Sequence, residues 1–277
     1  MLQHLFTLRS LHHHSISSVH VVPQDGLLVS ADISGLLVIW NLATRKAVFL
    51  RQFEVQILAV SCVDGLVFVQ FRDGKFLVFR MESNWRLSEA PIKRLSSAEY
   101  SFCKHIHVSI MSKPYLVIPT TNGLYVVDIY AQYDTKLEDF EHIMEHGTMM
   151  AITCNNNGTL AVGFEDGHVL LYDLTAKYEP VKVWKSFAKI LPESITCLHF
   201  ASDTELLVGG ATKNLLSLNI GTDTQVTTTM PFRDHGISTL ISLDNTNTIV
   251  SGGWDGKLRL FKHDPHNITQ TTLTQDH

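Results

Sequence analysis

The segment HIMEH (142–146) sets His142, Glu145 and His146 in the H-x-x-E-H order, in which two imidazoles on one helix face bind zinc and the acid serves as base. It falls between two strand patterns, and no downstream acidic helix supplies a third ligand, so a turn reading is preferred. CKHIH (103–107) places Cys103, His105 and His107 on one face of a strand through its period of two. That triplet either offers soft ligands to zinc or packs between neighbouring sheets. His12, His13 and His14 form a short tract, of which the repeat described below needs one and solvent takes the others. Trp254 stands at the second position of a turn, where an aromatic side chain anchors a partner or covers the adjacent turn. No GxxxxGK[ST], GxGxxG or GxSxG segment is present, so neither phosphate chemistry nor a nucleophile elbow has support. The expectation is no catalytic residue, no cofactor and no bound metal.

Composition narrows the class. The chain has 277 residues, 45% hydrophobic and 18% charged, which is enough to bury a core. Its 22 Lys plus Arg and 27 Asp plus Glu are scattered, so it carries neither a nucleic-acid arm nor a polybasic membrane anchor. The opening MLQHLFTLRSLHHHS lacks a small-residue cleavage site, and no later run stays apolar for the ~20 residues of a membrane span. A cytoplasmic or nuclear chain is expected. The sequons at Asn157 and Asn267 are then inert turn and tail residues. Cys62, Cys103, Cys154 and Cys197 show no CxxC pairing and read as buried thiols.

The elements that position these residues come from an internal repeat. Six stretches share a β-rich lead, a turn and an apolar strand: 30–42, 69–81, 118–130, 162–174, 209–220 and 251–263. Their turn residues, Gly35, Gly74, Gly123, Gly167, Asn214 and Gly256, step by 39, 49, 44, 47 and 42. Gly and Asn tolerate the positive φ of a tight hairpin. A further apolar strand precedes each hairpin, as in ILAVSCV (57–63), and a more polar one follows, as in KAVFLRQF (46–53), giving four strands per unit. The reading is all-β, a WD40-type β-propeller with six visible repeats.

A second spacing sets the register. His14 to Ser34, His146 to Asp166 and His235 to Asp255 are each 20 residues apart. In WD repeats such a His, with the turn Asp, a Ser and a Trp, ties strands together, so His14, Ser30, Trp40, Asp73, His146, Asp166, His235, Ser251 and Asp255 are the expected structural positions. Only Trp40 holds the Trp place, where Phe79, Tyr172 and Phe261 stand elsewhere, and Ser34 and Lys213 replace the turn Asp. The polar tetrad is therefore expected to be incomplete in every blade. LFTLR (5–9) reads as an outer strand that closes the final blade, while TQDH (274–277) repeats the Asp-His step of FRDH (232–235), where another blade would begin. One 1–277 propeller domain results, with either six complete blades or seven lacking the inner strands of the last.

WNLATRK (40–46), SFC (101–103), VIPTTNGLYVVDIY (117–130), TMMAITCNNNGTLAVGFEDGHVLLYDL (148–174) and GGWDGKLRLF (252–261) together resemble the ASTRA-associated WD-repeat protein family of fungi, whose animal relative is the G-protein β-subunit-like WD protein. The resemblance runs from residue 5 to about 261. A further blade follows the GWDG blade in that family, so the resemblance implies a seven-bladed ring whose last blade lacks its inner strands here. It also implies a non-enzymatic subunit of the ASTRA assembly, partnered by Tel-Tti components and phosphatidylinositol-kinase-related kinases and linked to chromatin remodelling, with no direct nucleic acid and no membrane. The rivals are another WD signalling adaptor of the G-protein β type, and a propeller metalloenzyme using Cys103, His105, His107 or HIMEH.

Overall fold

The computed structural model describes residues 6–8, 11–96, 102–110, 112–120, 123–130, 145–175, 183–187, 190–222, 225–229, 236–243, 247–264 and 267–276. Apart from a 3-10 turn at Pro23–Asp25, the regular elements among these residues are strands, and no helix among them is long and apolar enough to cross a membrane. The chain divides into two compact units, one of residues 1–105 with 119–121 and one of 106–118 with 122–277.

The first unit holds two four-stranded antiparallel sheets. The first is β1 (Ile16–Val22), β2 (Leu27–Asp32), β3 (Leu36–Asn41) and β4 (Lys46–Gln52); the second is β5 (Ile57–Val63), β6 (Leu66–Phe71), β7 (Lys75–Arg80) and β8 (Lys93–Ser96). The second unit opens with a three-stranded sheet, β9 (Ile106–Ile110), β10 (Lys113–Thr120) and β11 (Gly123–Asp128). Residues 131–144, where its fourth strand was expected, lie outside the described residues. Three four-stranded sheets follow: β12 (Met149–Cys154) to β15 (Val183–Phe187) with β13 (Thr159–Phe164) and β14 (Val169–Asp173) between; β16 (Ile195–Phe200), β17 (Glu205–Gly210), β18 (Asn214–Asn219) and β19 (Gln225–Thr229); and β20 (Ile237–Leu243), β21 (Thr248–Gly253), β22 (Lys257–Asp264) and β23 (Asn267–Asp276).

Every sheet is a meander of neighbouring strands, which short turns dictate. The second strand of each sheet in the first unit is buried along nearly its whole length and, but for Ser30, Asp32 and Gln70, is apolar. Within each unit, first strands lie against first strands: β1 against β5, β12 against β16, and β16 against β20. Three cores result. Leu27, Val29, Ile39, Val60, Val69 and Phe79 fill the first, between the first two sheets. Ala161, Leu171, Ile195, Leu206 and Val208 fill the second, and Leu207, Leu215, Ile237, Ile249 and Phe261 the third.

One regularity escapes the sequence. The first strand of each four-stranded sheet breaks register after its opening residue, where Ile16, Ile57, Met149, Ile195 and Ile237 face Asp32, Phe71, Phe164, Gly210 and Gly253. A bulge there bends the strand just where the preceding loop meets the hairpin turn.

Phe6, Thr7 and Leu8 belong to no strand, and the rest of the 5–9 segment lies outside the described residues. Thr274 and Asp276 pair with Leu258 and Lys257 along β22.

All four cysteines are free thiols. Burial pushes Cys62 up to about 11, with Asp25 and Asp64 adding to it, and pushes Cys154 and Cys197 up to about 12. Cys103 is raised further still by complete burial.

Candidate functional site

The positions around the hairpin turns carry nearly all the specific polar geometry. In the first sheet, Trp40 Nε1 donates to Ser30 Oγ at 2.8 Å, and Ser30 Oγ meets His12 Nε2 at 2.7 Å. His12 Nδ1 lies 2.7 Å from Asp32 Oδ2. The chain closes with one tautomer: indole N–H to hydroxyl, hydroxyl to Nε2, and Nδ1–H to carboxylate. Asp32 Oδ1 also accepts from the Ser34 hydroxyl at 2.6 Å and from the backbone N–H groups of Ser34 and Leu36. Burial works against the Asp32 charge, but the hydrogen bonds from Ser34, His12 and Leu36 outweigh it and hold the carboxyl below its ordinary range.

This geometry corrects two expectations. The bonded histidine is His12, not His14, which is exposed, and the acid is Asp32, not a residue at the Ser34 place. The tetrad is complete in this sheet. Spacing alone could not choose among three consecutive histidines. Asp32 is buried opposite the register shift of β1, and Ser34 serves as one of its donors.

The sixth sheet uses the same places differently. Ser251 stands five residues before Gly256, as Ser30 does before Gly35, but Phe261 occupies the Trp40 place and has no N–H to give. Ser251 Oγ is buried and without a hydrogen-bond partner among the described residues. Asp255 is held by Arg259, whose Nη1 and Nη2 grip its two oxygens, Nη1 at 3.0 Å. The Arg259 guanidinium is the main cause that lowers the Asp255 carboxyl. His235 lies outside the described residues. Trp254, 55% exposed, lays its indole over Gly236 and donates its backbone N–H to the Gly236 carbonyl at 3.0 Å. Any Cβ at Gly236, at φ 138°, would run into the ring.

The other candidates separate. In the second sheet, Asp73 caps its turn by accepting from the backbone N–H of Lys75 and pairs with the Lys75 ammonium at 2.6 Å. Cys103 and His105 precede β9 and do not share its face with His107. His105 is buried, its Nε2 meeting Ser61 Oγ at 2.7 Å and its backbone N–H donating to Gln70 Oε1 at 2.8 Å. Gln70 also donates to the Cys103 carbonyl. These contacts bind the segment to β5 and β6. Of HIMEH, only Glu145 and His146 are among the described residues.

In the fourth sheet, His146 Nδ1 lies 3.1 Å from Asp166 Oδ2, and a second imidazole that the sequence reading passed over, His168, brings its Nδ1 to 2.8 Å from the same oxygen. The two rings stack at 4.2 Å between centroids, 25° apart. Gly167, at φ 88°, makes the turn between Asp166 and His168, and its Cα sits against the Leu191 carbonyl where no Cβ fits. The signal was present as EDGH (165–168), in which the residue after the turn glycine is also a histidine.

Residues 224–262 match the family model described as WD domain, G-beta repeat. Solved structures extend the likeness across the chain. U3-55K is 14% identical with a TM-score of 0.77, covering 96% of this chain and 83% of that one. The WD40 repeats of RRP9 are 13% identical with a TM-score of 0.75, covering 96% and 82%. The β-propeller domain of Myceliophteria thermophila Cps50 (Swd1) has a TM-score of 0.69. The chain has a WD40-type β-propeller fold. Among curated proteins, ASTRA-associated protein 1 of Candida tropicalis is 24% identical over 286 residues, covering 92% of this chain and 77% of that protein. ASTRA-associated protein 1 of Schizosaccharomyces japonicus is 23% identical, covering 92% and 86%. The chain is similar to the ASTRA-associated WD-repeat proteins. A propeller with these relatives is suited to protein–protein contact within a complex, its rigid sheets displaying turns and loops.

Proposed function

We propose that this chain is a non-enzymatic adaptor of the ASTRA assembly, acting in the nucleus, linked to chromatin remodelling and to the stabilisation of phosphatidylinositol-kinase-related kinases through Tel-Tti. The observation that supports it is the similarity to two proteins named ASTRA-associated protein 1, each spanning 92% of the chain. The polar groups at the turns favour the same reading: His12, Asp32, Ser30 and His105 are engaged in bonds that tie strands and loops together. Trp254, half-exposed on a turn, is the proposed contact residue, since a rigid aromatic held over a glycine loses little entropy on docking.

Affinity purification of the tagged chain from its own cells, followed by mass spectrometry, tests the reading. Recovery of Tel-Tti components and large kinases is expected, reduced by Trp254→Ala. A chain that melts cooperatively yet recovers none of them overturns it.

A further inference from the structure

We propose that His146, Asp166 and His168 form a binding site for one divalent first-row transition-metal ion, with Zn2+ the best match. A WD-type histidine–acid pair needs a single imidazole. Here two imidazoles face one carboxylate oxygen, and their donor atoms all lie within 4.8 Å of one another. His146 makes a hydrogen bond to Asp166 Oδ2, whereas His168 Nδ1 approaches the same oxygen to 2.8 Å outside hydrogen-bonding geometry. That nitrogen is buried and makes no hydrogen bond among the described residues, so hydrogen bonding satisfies only one of the two rings. A cation accepts the lone pairs of both nitrogens and of the carboxylate together.

The donor set selects the ion. Two imidazoles and a carboxylate suit Zn2+, Ni2+ or Cu2+, while Mg2+ and Ca2+ call for oxygen ligands. Bonds of about 2.0–2.1 Å in a tetrahedron set ligand atoms about 3.3 Å apart. The observed 3.1 and 2.8 Å contacts therefore open by a few tenths of an ångström on loading. The rings, 25° from parallel, turn about their Cβ–Cγ bonds so that both lone pairs meet on the ion. Both side chains retain some exposure, 16% and 21%, which leaves room for that rotation and for a water in the fourth position. The Glu165 carboxylate packs against Gly147, next to His146, and adds negative charge beside the site. The backbone does not need to move, because Gly167 already pins Asp166 and His168 on either side of one turn.

The test is competition between the tag-free full chain and a chromogenic zinc chelator, with unfolding followed in parallel. The parent chain is expected to take up one equivalent of Zn2+, unaffected by excess Mg2+. His168→Ala and the isosteric Asp166→Asn are each expected to weaken uptake at least about 10-fold while melting cooperatively. His13→Ala with His14→Ala serves as the control for the N-terminal tract and is expected to leave uptake unchanged. Equal uptake by His168→Ala and the parent, loss of uptake only in the tract control, or no uptake by the parent would each overturn the proposal.

Discussion

The first and sixth sheets are written on one template and solve it differently. Each has a serine five residues before the turn glycine and an aromatic five after it, Ser30 with Trp40 and Ser251 with Phe261. In the first sheet the indole N–H begins a run of hydrogen bonds that ends on Asp32. In the sixth the ring has no donor, Ser251 has no hydrogen-bond partner among the described residues, and Asp255 is gripped by Arg259 from its own hairpin. One heteroatom at the aromatic position separates a completed polar network from an orphaned hydroxyl. The repeat preserves the backbone and leaves the polar solution to each sheet.

The largest test of that contrast is Asp32→Ala. It strips acceptors from His12, Ser34 and Leu36 and is expected to lower unfolding free energy by about 3 kcal/mol in urea titrations. His14→Ala, at an exposed position, is expected to change it by less than about 0.5 kcal/mol. Equal losses would restore His14 as the structural residue. Next comes a difference of sign. Ser30→Ala, which takes the partner from Trp40 Nε1 and His12 Nε2, is expected to cost about 2 kcal/mol, whereas Ser251→Ala removes an unsatisfied hydroxyl and is expected to be neutral or stabilising by up to about 1 kcal/mol. A loss at Ser251 equal to that at Ser30 would mean that the sixth sheet has a network after all.

Acid shows what the two solutions share. The folded carboxyls of Asp32 and Asp255 titrate below the unfolded value of about 3.9, so the unfolded chain binds more protons there. Their stabilisation is full above that value and is lost as the pH falls through the lowered folded values, each unit of depression being worth about 1.4 kcal/mol. Denaturation midpoints from pH 6 to 2 should show this loss, and Asp32→Asn should flatten it. The smallest effect belongs to His199, whose imidazole is kept below its ordinary 6.5 by burial beside Ser242. Stability should begin to fall as the pH drops below about 6.5, and His199→Gln should lessen that early part of the slope, the remainder falling to His20, which burial lowers in the same direction.

The repeat was legible because its turns are written in Gly and Asn at near-regular steps, and the strands around them are apolar runs. The side-chain partners were harder to read. HHH at 12–14 holds three identical rings one residue apart, and spacing does not say that His12 is the one bonded to Ser30 and Asp32. Asp32 sits three residues before its glycine, whereas Asp166 and Asp255 sit one before theirs, so a search at the turn position finds Ser34 and misses the acid. His105 was legible as a chemically rich residue but not as a tie to Ser61 and Gln70, which are 44 and 35 residues away. His168 was hidden in plain view, since one residue past a turn it reads as the first position of a strand.

The thiols described with the fold make the molecule its own clock. Alkylating reagents attack the thiolate, and a thiol held at about 11 presents it in roughly one molecule in ten thousand at neutral pH. In an unfolded segment the same group returns to an ordinary value near 8.5 and reacts far faster. Cys62 sits on β5, Cys154 on β12 and Cys197 on β16, the first strands of three different sheets. Pulses of a thiol reagent would therefore record, strand by strand, how often each sheet opens, with no label added to the chain.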